Sequence, residues 1–169
     1  MGIALMNTPI VFIVFNRPEL TRRVFASIRE ARPSKLLVVC DGPRSGRPDD
    51  REKVAAVRQV IANGVDWPCD VRREYSESNL GCRERVVSGL NWVFALVEEA
   101  IVLEDDCLPD ASFFAFAEEM LARYRNDPRV LHIGGNNFTS DKYHLSHSYA
   151  FSRYGHIWGW ATWRRAWEL

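Results

Sequence analysis

Three acidic residues in a row, Glu104-Asp105-Asp106, follow the apolar run at 100–103 without a spacer. Carboxylates at the end of a buried strand are costly unless a cation joins them. A hard divalent ion such as Mg²⁺ or Mn²⁺ needs only one or two protein carboxylates and takes its other ligands from phosphate and water. If the triplet stays extended, Glu104 and Asp106 point to one side and Asp105 to the other. One face then holds the ion, and the other meets a ribose hydroxyl or a water. The structural alternative is that the triplet merely caps the next helix, but Asp110 alone can do that. Arg17 and Asp41 stand directly after two earlier apolar runs. Arg83 and Arg85 follow the turn Asn79-Leu80-Gly81 at a helix start, where cations oppose the helix dipole and need an anionic partner. A phosphate would serve, and so would Glu84 or Glu104.

The elements that must position these groups alternate between short apolar runs and helical stripes, the pattern of an α/β fold with a mainly parallel sheet in a three-layer sandwich. Residues 10–15 read as a strand buried on both faces, followed by Pro18 in a first helical turn and a stripe of Leu20, Val24, Phe25 and Ile28. A second strand at 35–40 ends in the turn Asp41-Gly42-Pro43. Asp49 or Asp50 can cap the helix striped by Val54, Val57 and Ile61. A third strand is predicted at 70–75, a fourth at 100–103 and a fifth at 130–133, the last ending in Gly134-Gly135-Asn136-Asn137. Long helices fill the spaces before and after the fourth strand. Residues 157–169 read as stopping inside a helix, with Trp158, Trp160, Trp163 and Trp167 needing a surface to cover. The expectation is that a C-terminal segment or second domain follows.

The bulk composition excludes several classes. Lys+Arg and Asp+Glu balance at 22 each, so no net field favours nucleic acid or an anionic membrane. There is no transmembrane segment in the sequence and no basic, apolar leader at its start. The four cysteines, Cys40, Cys69, Cys82 and Cys107, form no C-x-x-C pair. They read as reduced structural thiols, which places the protein in the cytoplasm, with peripheral contact to the inner membrane left open.

Taken together, Asn16-Arg17-Pro18, Asp41-Gly42-Pro43, Asn79-Leu80-Gly81 and Glu104-Asp105-Asp106-Cys107-Leu108-Pro109 resemble the GT-A glycosyltransferases, in particular bacterial family-2-type sugar transferases. Glu104-Asp105-Asp106 is similar to the E-D-D variant of the D-x-D motif in N-acetylglucosaminyltransferases. The likeness covers most of residues 9–137 as a nucleotide-sugar-binding part, with 138–169 as the start of an acceptor part, all in one domain. It implies a metal-dependent, inverting transfer of a sugar from a nucleoside-diphosphate sugar, a UDP-sugar by preference, to a carbohydrate or glycolipid hydroxyl. Under the resemblance Asp106 binds Mn²⁺ or Mg²⁺ directly, and Asp105 reaches the ribose or a metal-bound water. Asp41 faces the base, and Arg17 lies beside the nucleotide. The family's catalytic base is a carboxylate just before an aromatic, glycine-containing segment. Here that segment is 152–160, and no carboxylate stands in the expected place. Asp141 and His156 are the candidates, or the base lies beyond Leu169. A module that binds a nucleotide sugar without turning it over is the alternative. A nucleotidylyltransferase or a dinucleotide-dependent oxidoreductase would need a Gly-rich loop where this chain has Asn16-Arg17-Pro18-Glu19.

Overall fold

Every residue of β1 (Ile10–Val14) is buried, as are the last five of β2 (Lys35–Cys40), so both strands need a helix on each face. The computed structural model describes residues 5–138 and 147–169 and supplies those helices. Alternate strand residues divide between two cores. Ile10, Phe12 and Val14 of β1 and Leu36 and Val38 of β2 pack on one face against α1 (Pro18–Ala31), α2 (Pro48–Gly64) and α4 (Ala111–Tyr124). Val11, Ile13, Leu37 and Val39 point the other way, toward Leu90, Val93 and Phe94 of α3 (Cys82–Leu96).

Two further parallel strands are β3 (Asp70–Tyr75) and β4 (Glu99–Glu104). The short β5 (Ile133–Gly134) and β6 (Trp160–Trp163) complete, among the described residues, a sheet of order β3-β2-β1-β4-β6-β5. Strands β3, β2, β1 and β4 run parallel, and β6 runs antiparallel to both β4 and β5. The fold is therefore α/β in three layers with a mainly parallel sheet, as the alternating pattern predicts. The chain builds outward from β1 through β2 to β3, then crosses by α3 on the opposite face to place β4 on the other side of β1. The β1/β4 crevice is the point at which the strand order reverses, where ligands collect in open α/β sheets.

Three local expectations change. The C-terminal stretch is not one helix: residues 160–163 form β6, every one of them buried, and the helix after it, α5, spans only Arg164–Trp167. Trp163 enters the first core and Trp160 the second, the alternation of a strand. Trp167 stacks on Phe94 with ring centroids 6.0 Å apart. The fifth strand begins at Ile133 rather than at residue 130, because side chains take the preceding carbonyls. Arg165 donates to the Val130 carbonyl (2.9 Å) and the Thr162 hydroxyl to that of Leu131 (2.7 Å). Neither Asp49 nor Asp50 caps α2. Arg47 occupies that position, and Asp50 lies inside the first turn with a buried carboxylate.

Candidate functional site

Strand β4 ends at Glu104, level with Ile13 of β1, and the chain turns at once. The Cys107 N–H donates to the Glu104 carbonyl (3.1 Å), which puts Asp105 and Asp106 at the corners of a β-turn. The triplet is thus not extended, and the strand alternation that would send Asp105 and Asp106 to opposite sides does not apply. Both face Arg17, which follows β1. One guanidinium nitrogen, Nη1, lies 2.6 Å from Asp106 Oδ2 and 3.4 Å from Asp105 Oδ1. Asp105 is buried, and its Oδ2 accepts from the Phe15 N–H at 3.3 Å, whereas Asp106 is half exposed. Asp110 caps α4, accepting from the Ser112 N–H (2.9 Å) and hydroxyl (2.6 Å), so capping leaves the triplet free for another role.

Charge at this turn is finely balanced. Burial pushes the Asp105 carboxyl above its ordinary value, opposed by the Phe15 N–H and Arg17. Burial also raises Glu104, and the charges of Asp106 and Asp105 add to the effect. Arg17 is raised in turn, first by its hydrogen bond to Asp106 and then by Asp105. The Cys107 thiol is pushed up to about 11, mainly by burial, so it offers no thiolate to a metal at neutral pH. Among the described residues no three His, Cys, Asp or Glu side chains converge as a metal cage. The donor set here is a pair of carboxylates in a turn. It fits a hard ion that draws its remaining ligands from phosphate and water.

Asp41, at the end of β2, is only 5% exposed. Its Oδ1 accepts from the N–H groups of Gly42 and Leu80 (both 2.9 Å), and its Oδ2 from the Asn79 amide (2.8 Å) and the Gly81 N–H (3.1 Å). The turn after β2 and the turn before α3 are therefore one unit, locked by a single carboxylate. Gly42 is required there, since a Cβ at that position would lie 2.5 Å from the Ser78 carbonyl carbon. Arg85 is buried and pairs with Glu74 of β3, donating also to the Glu74 carbonyl; burial lowers its pKa. Arg83, two residues earlier, is exposed.

One constellation had no signal in local sequence. The buried Asp50 accepts from Arg44 Nε (2.6 Å), Nη2 (3.0 Å) and backbone N–H (3.2 Å), and from the Asn16 amide (2.7 Å). These hydrogen bonds, that of the Arg44 side chain first, hold the Asp50 carboxyl well below the usual range. Arg44 also covers the Phe15 ring, 5.3 Å from its centroid. The loop after β2 is thereby tied back onto the end of β1. Only the acidic residue two positions after Pro48 hints at this, and acidic residues are common in any first helical turn.

The far side of β4 is built from β6. Their antiparallel register pairs Val102 with Trp160, so the chain preceding Trp160, with Trp158, runs toward the Glu104 end. The Gly135 N–H donates to the Gly159 carbonyl at 2.9 Å, bringing the segment after β5 alongside. Phe138, His156 and Trp158 are exposed and in mutual contact. Phe138 meets the other two rings edge-on, at 4.9 Å from His156 and 5.7 Å from Trp158. His132, which the sequence did not single out, stacks on Trp160 at 5.0 Å, and its Nε2 lies 3.0 Å from the His156 carbonyl. Burial pushes its pKa down. Asp141 lies outside the described residues. A separate groove between α1 and α2, lined by Phe25, Arg29, Val60 and Asp66, shares no residue with the acidic turn.

No protein-family model matches the chain, and neither does any curated protein. Among solved structures it is similar to a mannosyltransferase from Pyrobaculum calidifontis in complex with GDP-Man and Mn²⁺, at 18% identity and a TM-score of 0.53. That match covers 78% of this chain but only 35% of the mannosyltransferase. The chain is also similar to 4-diphosphocytidyl-2C-methyl-D-erythritol synthase from Anaerococcus prevotii, at 10% identity and a TM-score of 0.55, covering 94% of this chain and 72% of that one. The fold is GT-A-like. Among the described residues, no helix is long and apolar enough to cross a membrane.

Proposed function

We propose that the chain binds a nucleoside-diphosphate sugar in the β1/β4 crevice and transfers the sugar, with a divalent ion, to an acceptor hydroxyl. The observation that carries this reading is the Asp105–Asp106 turn at the strand-order reversal, facing a cation from the next strand end. Asp106, the more exposed carboxylate, would hold Mn²⁺ or Mg²⁺, with Asp105 directed to the ribose or a metal-bound water. Bound there, the ion supplies Lewis-acid stabilisation to the leaving diphosphate. Arg17 contributes a planar guanidinium beside the phosphates. Exposed Arg83 is a second phosphate candidate. For Arg85 and Asp41 the reading differs from direct contact. Their internal bonds support roles in holding the α3 entry and the loop that would border the base. The exposed aromatic shelf of Phe138, His156 and Trp158 suits an acceptor sugar, whose apolar face packs on rings. The base of an inverting transfer is assigned to His156 or Asp141.

Donor choice is open between uridine and guanosine nucleotides, the latter because the mannosyltransferase neighbour holds GDP-Man. Calorimetric titration of UDP, GDP and their sugars, with and without Mn²⁺ and repeated with Asp106→Ala, tests the reading. Metal-dependent binding lost in the variant is expected; no metal-dependent binding by the wild type overturns it. A nucleotidylyltransferase reading is favoured by the wider match to the synthase, but the loop Asn16-Arg17-Pro18-Glu19 lacks the glycines that would let a triphosphate lie against the backbone. Release of pyrophosphate from a nucleoside triphosphate would favour it. Binding without turnover would favour the non-catalytic module.

A further inference from the structure

We infer that Arg17 is a displaceable counter-ion that occupies the cation position of the acidic turn until a diphosphate draws it away, so that metal and nucleotide bind as a coupled pair. The inference rests on the donor-site reading above. One nitrogen of Arg17 serves both carboxylates, 2.6 Å from Asp106 and 3.4 Å from Asp105. It sits on the side the two carboxylates share and so covers Asp106, the carboxylate read above as the metal ligand. The partners differ in how firmly they are fixed. Asp105 is buried and tied to the Phe15 N–H. The Arg17 side chain is 52% exposed, and among the described residues its guanidinium hydrogen-bonds only to these two carboxylates. Asp105 is thus the fixed element, and the exposed arginine is free to swing away from it.

This arrangement balances the charge of the acidic turn. A buried carboxylate without a cation is strongly unfavourable, and Arg17 supplies one. The same contact obstructs a metal, because two cations compete for the same oxygens. A diphosphate resolves the competition. Its oxygens match the guanidinium fork, giving Arg17 a new partner while freeing Asp106 for the ion and Asp105 for the ribose or a metal-bound water. Linkage then requires the metal to favour the diphosphate by the same factor.

The test is electron paramagnetic resonance titration of Mn²⁺ into the full chain and into Arg17→Gln and Arg17→Lys, each without nucleotide and with saturating UDP or GDP. Without nucleotide, Arg17→Gln should bind Mn²⁺ about 10-fold more tightly than wild type, and the gain from adding nucleotide should shrink by about the same factor. Without nucleotide, Arg17→Lys keeps the charge and should bind Mn²⁺ as wild type does. A gain in affinity cannot come from misfolding. Equal Mn²⁺ affinity of wild type and Arg17→Gln without nucleotide overturns the inference and leaves the donor site standing. An unchanged nucleotide gain in Arg17→Gln overturns it too. If neither protein binds Mn²⁺ even with UDP or GDP, the donor-site reading falls and this inference with it.

Discussion

The two flanks of β4 are finished by different chemistry. Toward β1, the loops are bound together by charged hydrogen bonds: Asp41 holds four donors, Asp50 holds Arg44 and Asn16, and Arg17 spans Asp105 and Asp106. Toward β6, the framework is aromatic. Trp160 and Trp163 are buried, while Phe138, His156 and Trp158 stand exposed. Polar ties fix donors and acceptors in direction as well as place, which suits a charged ligand of defined geometry. Stacked rings fix a surface but tolerate variety in what lies on it. One flank is held by directional polar ties, and the other by ring surfaces.

The sharpest break in this contrast should come from Trp163→Ala. Emptying that buried site should cost about 3–5 kcal/mol of stability, read from urea melts, and should damage both flanks together. Asp106→Ala should act on one flank alone. A loss of about 100-fold or more in Mn²⁺-dependent nucleotide affinity, roughly 2.7 kcal/mol, is expected with little change in melting. Asp41→Ala should cost about 2 kcal/mol by orphaning buried N–H groups, and should weaken nucleotide binding in step with stability. A direct base contact would instead change the discrimination between bases. His132 offers a pH test of the aromatic flank. Its pKa is lowered in the fold by burial, so the unfolded chain takes up a proton first, near its ordinary value of about 6.5. Stability should therefore fall as pH drops through that value, and less so in His132→Asn. Trp158→Ala is the mildest change: less than about 0.5 kcal/mol in stability, with acceptor-dependent turnover reduced and donor binding intact.

Strands β1, β2 and β4 were legible because they are apolar runs buried on both faces that end at charged or turn-forming residues: Asn16-Arg17, Asp41-Gly42, Glu104. Strand β6 was not, because tryptophans at 160, 163 and 167 mimic a helical stripe, whereas only 160 and 163 belong to the strand. That the acidic triplet stands at the end of the fourth strand was legible, but its turn shape was not. Alternation holds only while the strand continues, and the Cys107 N–H closes the turn at Glu104. The residues 79–81 and Asp41 were each noticed as turns. That they are partners depends on contact across 38–40 positions, which no local pattern encodes.

The placement of β6 between β4 and β5 bears on how the molecule is made. During synthesis, β1 to β4 can pair as soon as residue 104 has emerged, but the outer edge of β4 then has no neighbour. Strand β5 does not cover it, since among the described residues β5 pairs with β6 alone. An apolar edge of this kind, running through Ile101 and Val102, is a template for pairing with other chains. It stays open until some sixty further residues have been translated, which at about 5–20 residues per second is several seconds on the ribosome. Strand β6, which follows β4 by more than fifty residues, seals the sheet beside the acidic turn, so a nascent chain passes through an aggregation-prone interval before that flank exists.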